Sequence, residues 1–258
     1  MKNTFHQLLI GFLIGLMICP PSVVYAGGIT VDTSAPANTQ ADLTQARNGV
    51  DMVQIVQPDG AGVSHNKFSD FNVSEQGVII NNSAAGGISQ LGGGVLANPN
   101  FTNGKEASLI ITEVTGSSRS NLEGYTEIFG GSADYILANP NGITINGGGF
   151  IGTPKATVTT GHPDFSPDGA YNGLRVESGD VLVEGLGINA KSVNAFEIIS
   201  RTAKLNADIH ANALKVAVGR AQYAPDGTAS ASRRTGLPFR TWLWTRRSSA
   251  ACTPGIFS

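Results

Sequence analysis

Histidines and carboxylates are the first places to look for chemistry in this chain. His65, His162 and His210 lie far apart in sequence, and none has a partner at the short spacing that metal ligation favours. Asp164 and Asp168 flank Phe165-Ser166-Pro167, a turn-forming segment, so a loop outweighs a general acid and base pair. Gly92-Gly93-Gly94 is followed by neither a helical pattern nor a Lys-Ser/Thr pair, so it reads as a flexible loop, not a phosphate cradle. No catalytic residue, metal ligand or cofactor is expected.

What remains is chemistry of the backbone. In Asn139-Pro140-Asn141-Gly142-Ile143, Pro140 fixes φ near −65°, and Asn141 and Gly142 are the residue types that tolerate positive φ. A sharp reversal is expected there. Tyr135-Ile136-Leu137 precedes it as an apolar run, and Ile143 and Ile145 follow in alternation with Thr144 and Asn146, so a short strand flanks each side. A second copy, Asn98-Pro99-Asn100-Phe101, follows Val95-Leu96-Ala97. One copy alone is a loop signal. Two copies, each after a Leu-Ala pair, point to a device used twice.

Composition describes the elements that must hold these turns. With 33 glycines in 258 residues, 7% aromatics and many Val, Ile, Thr and Asn, the chain suits short strands and tight turns. Strands are read at 28–31, 52–56, 63–73, 77–80 and 109–114, with Pro58-Asp59-Gly60 as a turn and Ser117-Ser118-Arg119-Ser120-Asn121-Leu122 as a loop. Beyond Gly149 come Thr157–Thr160, Leu174–Val176, Val181–Val183, Val193–Ile199, Ala203–Leu205, Ile209–Ala211 and Leu214–Val218. Such a rhythm fits a coil of about three strands per turn, each turn stacking on the last. Each inward Val, Ile or Leu would contribute roughly 1.5–3 kcal/mol, mostly offset by the cost of ordering the chain. The fold class expected is all-β, a right-handed parallel β-helix.

Both Asn-Pro-Asn segments resemble the paired NPNL and NPNGI motifs of the two-partner secretion domain, which opens the large exoproteins of the filamentous haemagglutinin family, contact-dependent inhibition toxins among them. His65-Asn66-Lys67-Phe68, Phe71-Asn72-Val73 and Glu197-Ile198-Ile199-Ser200-Arg201 extend the resemblance over residues 27–227. Phe101 stands where the first motif usually has Leu. The resemblance implies an N-terminal β cap and extra-helical hairpins. It also implies capture of the unfolded chain by the periplasmic domains of a dedicated outer-membrane β-barrel transporter, and delivery to the cell surface or medium. Asn98, Pro99, Asn100 and Phe101, with Asn139, Pro140, Asn141, Gly142 and Ile143, would then serve transporter recognition, coil geometry or both. Two other classes compete. The segment could itself be an adhesin for host cells or glycans, or a β-helix enzyme acting on polysaccharides, which would need clustered Asp, Arg or Lys on one face.

The flanks carry their own signals. Lys2 and His6, the apolar run Leu8–Ile18 and Val24-Tyr25-Ala26 read as a secretory signal for the general export machinery, cleaved by signal peptidase between Ala26 and Gly27. The run is too short to anchor the mature chain in a bilayer. Cys19 would leave with it and Cys252 lies near the other end, so the body has no cysteine, which suits a chain that crosses a pore unfolded. Eleven basic against 19 acidic residues put segment 27–227 at −8, which argues against a nucleic-acid partner. Residues 228–258 form a basic tail with both tryptophans, outside the strand rhythm. Shifting the reading frame across Thr241–Pro254 can restore repeat-like sequence, so the tail is expected to be out of frame and not folded, with the whole a truncated front part of a longer exoprotein.

Overall fold

The computed structural model describes residues 28–230 and, for the backbone alone, Ala231, Arg240–Thr245 and Gly255–Phe257. The junction between Ala26 and Gly27 lies outside the described residues, as do both cysteines.

Three parallel sheets wrap one core. The first carries Val63–Phe71, Leu109–Val114, Asp134–Ala138, Lys155–Thr159, Ala195–Ser200 and Ala213–Val218 in that spatial order. The second runs from Asp51–Gln54 through Val78–Asn82, Tyr125–Gly130, Gly149–Ile151 and Ile188–Ala190 to Ile209–Ala211. The third stacks Ser120–Leu122, Ile143–Ile145, Asp180–Val183 and Thr202–Leu205. Following the chain, each turn visits the second, first and third sheets, which is the expected parallel β-helix.

Identical positions of successive turns stack in line. Leu137, Val158, Ile198 and Val216 form one such column on the first sheet, and Leu122, Ile145, Val183 and Leu205 another on the third. All eight belong to the main core. Because side chains alternate faces along a strand, the uninterrupted apolar runs Leu109-Ile110-Ile111 and Tyr135-Ile136-Leu137 must be buried on both sides. Ile110, Tyr135 and Leu137 face the core, while Ile111 and Ile136 face outward under a second layer.

A second layer covers the first sheet. Gly161–Phe165, Tyr171–Val176, Ala221–Tyr223 and Ala229–Ala231 form an antiparallel sheet, and Leu174, Val176 and Tyr223 pack with Ile111, Ile136, Ile199 and Ala217. Leu174–Val176 therefore belongs outside the coil, not to its rhythm. Gly92-Gly93-Gly94, expected to be a flexible loop, runs from the turn into the second strand of an antiparallel hairpin, Gly87–Ser89 with Gly93–Val95, which closes over Met52, Ile79 and Phe129. Likewise Ser120–Leu122, read as loop, is a strand of the third sheet, because neighbouring turns supply its partners on both sides.

At the N-terminal end Ile29–Val31 lies antiparallel on Val63–Phe71, and Asp42–Gln45 lies antiparallel on Asp51–Gln54. These strands form the cap. In the tail, placed outside the fold on sequence grounds, Ala229–Ala231 joins the outer sheet, Arg240–Thr245 pairs with Ala213–Val218, and Gly255–Phe257 pairs with Thr202–Leu205.

Candidate functional site

Each Asn-Pro-Asn segment occupies a corner of the coil, and both are built alike. In the first, the Asn98 carboxamide oxygen accepts from the Asn100 backbone N–H at 2.9 Å, and the Phe101 N–H donates to the Asn98 carbonyl at 3.2 Å. In the second, Asn139 accepts from the Asn141 N–H at 2.9 Å, and the Gly142 N–H donates to the Asn139 carbonyl at 3.0 Å. A side-chain turn is thus nested inside a backbone turn, with Pro fixing φ at the second position. Among the described residues only glycines have positive φ. Asn141 therefore does not use its tolerance of that region, and Gly142 does, at φ +114°.

The first Asn of each motif also ties turns of the coil together. Asn98 Nδ2 donates to the carbonyls of Ile55 at 2.9 Å and Asn81 at 2.8 Å, which end adjacent strands of the second sheet. Asn100 Nδ2 reaches the carbonyl of Gln54 at 3.1 Å. Asn139 Nδ2 donates to the Ser118 carbonyl at 3.0 Å and Ser120 Oγ at 2.9 Å, and Asn141 Nδ2 to the Gly116 carbonyl at 2.7 Å. Asn98 is 3% and Asn139 0% exposed. A buried carboxamide must satisfy its donors and acceptor internally, and both do.

The apolar residues that close the motifs, Phe101 and Ile143, are buried in the main core, whereas Pro99 is exposed and Pro140 half-buried. The two motifs sit at different corners. The first leads from the second sheet toward the first, the second from the first to the third, so they do not converge on one pocket.

Sequence reasoning missed the residues that lock these corners. Arg119 donates from Nε to Thr144 Oγ1 at 2.7 Å, from Nη1 to Asp180 Oδ1 at 2.9 Å, and from Nη2 to Asp180 Oδ2 at 2.8 Å and the Ile143 carbonyl at 3.1 Å. One guanidinium so fastens three successive turns beside the second corner. Arg119 bonding holds the Asp180 carboxyl below its usual range. A Cβ on residue 142 would press on Arg119 Nη1 and stand 2.9 Å from the Asp180 carbonyl, so glycine suits the space there as well as the φ. Near the first corner Asn82 accepts from the Ala107 N–H at 2.7 Å and donates to the carbonyls of Ala107 and Gly131. The Asn81-Asn82 pair and Arg119 were visible as polar residues beside strands, but their partners lie tens of residues away.

The remaining candidates serve structure. His65 Nε2 lies 2.7 Å from Glu113 Oε2, and its ring stacks on Phe165 of the outer sheet at 4.8 Å. Burial would raise the Glu113 carboxyl, but the His65 hydrogen bond and the charges of His65, Lys67 and His162 bring it below its ordinary value. Asp164 accepts from the amides of Asn172 and Gln222, and Asp168 from Ser166 within its own turn, so the two carboxylates face separate local partners. Among the described residues no three His, Cys, Asp or Glu gather as metal ligands, and no helix is long and apolar enough to cross a membrane.

Comparison with known proteins meets this geometry. The family model "TPS secretion domain" matches residues 27–239. The 16S rRNA endonuclease CdiA of Enterobacter cloacae subsp. cloacae is 43% identical over 234 residues, 90% of this chain. Filamentous hemagglutinin of Bordetella pertussis is 41% identical over 185 residues, 72% of this chain. The chain spans only 7% and 5% of the lengths of these relatives. A crystal structure of the filamentous hemagglutinin secretion domain superposes with a TM-score of 0.71 at 35% identity, covering 82% of this chain and 71% of that one. By sequence, by coil and by the family model that spans its whole body, this chain belongs to the TPS secretion domain family, the secretion module of filamentous haemagglutinin and CdiA-type exoproteins.

Proposed function

We propose that this segment is exported through the inner membrane on a signal cleaved between Ala26 and Gly27 and captured, still unfolded, by the periplasmic domains of an outer-membrane β-barrel transporter. It then folds turn by turn at the cell surface. Residues 27–227 form the secretion module in this reading, and any catalytic or toxic activity belongs to sequence beyond it. The relatives' nuclease names describe whole proteins, of which this segment covers a few per cent. An extended chain offers unpaired N–H and C=O groups to a sheet edge, so strand addition is the mode of capture.

One observation carries the reading: Asn98 and Asn139 are almost wholly inaccessible and fully bonded within the coil. In the folded state their carboxamides have nothing left to offer a partner. Their work there is to set corners, and a transporter can read them only before folding. Replacing Asn139 and Asn141 by Ala is expected to leave the chain in the periplasm and remove it from the medium. Purified periplasmic domains should still bind the denatured variant if the corners act in folding, and should lose it if they act in recognition. Normal release of the variant would overturn both roles.

A further inference from the structure

A β-helix has an unsolved edge at each end, because the last strand of every sheet leaves alternate N–H and C=O groups without partners. The N-terminal end is closed by antiparallel strands on two sheets, Ile29–Val31 on the first and Asp42–Gln45 on the second. The C-terminal end repeats the device. Arg240–Thr245 lies antiparallel on Ala213–Val218 through six residue pairs, from Ala213 with Thr245 to Val218 with Arg240. Gly255–Phe257 lies antiparallel on Thr202–Leu205, the last turn's strand of the third sheet.

The direction of these strands sets them apart from the coil. Every addition within the coil is parallel, since each turn brings the chain back along the same sheet in the same sense. A strand of opposite sense satisfies the edge but cannot lead into another turn in register. While it is in place, neither a following turn nor a strand of another molecule can pair with Ala213–Val218. The second sheet ends on Ile209–Ala211, three residues with no further strand among the described ones, too short to template much pairing.

We propose that residues 240–245 and 255–257 are a C-terminal cap, which occupies the growing edge of the coil and prevents a second copy of this chain from adding there by strand pairing. The inference does not depend on the secretion reading, since it concerns the purified, folded chain. Hydrogen exchange of the full mature chain tests it residue by residue. In a strand paired on one side only, alternate amides point away from the sheet, so an uncapped Ala213–Val218 would show alternating protection. With the cap in place all six amides are expected to exchange at least about tenfold more slowly than free peptide. A full-chain variant with Trp242→Pro and Leu243→Pro covers both classes of position in the tail strand. It should restore the alternation and make sedimentation concentration-dependent, while the coil's circular dichroism stays unchanged. Alternating protection in the unmodified chain, or identical exchange and sedimentation in the proline variant, would overturn the cap.

Discussion

Single residues fix the corners, and their effects separate by burial. Gly142→Ala adds a methyl group at φ +114°, 2.9 Å from the Asp180 carbonyl and pressed against Arg119 Nη1, which bonds Asp180. A loss of about 1–3 kcal/mol is expected in denaturant unfolding, whereas Pro99→Ala, on an exposed turn, should shift stability by under about 1 kcal/mol. Equal effects at the two sites would refute the corner lock. Glu113 gives a pH dependence with a definite sign. Its folded-state carboxyl is held below the ordinary 4.5, so the stability it contributes is present above that value and is lost as pH falls through the lower folded one. The stability gap between the native chain and Glu113→Gln should therefore narrow on acidification from pH 5 towards about 3. A gap that widened instead would show that His65, Lys67 and His162 do not offset burial. The corners were legible because Asn-Pro-Asn is local turn chemistry, complete within four residues. Arg119 was not, because Asp180 lies 61 residues further on and only the stacking of turns brings it near.

Elements were legible where their pattern is local and obscure where neighbours decide. Leu109–Val114, Ile209–Ala211 and the paired runs around Pro140 stood out as β-branched or alternating segments, and they form strands close to those bounds. Ser120–Leu122 has little strand character of its own, and pairing on both sides makes it one. The glycine-rich hairpin is the strongest case. Its turn is gripped by the buried Glu127 carboxylate, which accepts from Ser89 Oγ at 2.6 Å and from the N–H groups of Gln90 and Leu91 at 2.8 and 2.9 Å. Nothing within the run 86–94 announces that anchor. Glu127→Gln turns one acceptor into a donor facing backbone N–H groups, at an expected cost of about 1.5–3 kcal/mol. Limited proteolysis should then cut near Gln90 first; unchanged resistance there would show that apolar packing on Phe129 holds the hairpin without the carboxylate.

At the scale of the molecule, the coil turns short, individually weak strands into a stable body by stacking them in columns, and it needs no cross-link to do so. Leu137, Val158, Ile198 and Val216, one from each of four successive turns, are buried in a single column. In the proposed function such a chain crosses the pore unfolded and gains stability turn by turn, so that folding would oppose return. The three-sheet coil followed from strand spacing and family resemblance, whereas the outer antiparallel layer over the first sheet is a long-range arrangement that alternation along one strand does not encode. The proposed function requires a transporter, and the decisive measurement is the amount of mature chain in medium and periplasm of cells with and without an outer-membrane barrel partner. Accumulation in the medium only when the barrel is present is the expected result, and equal release without it would contradict the account.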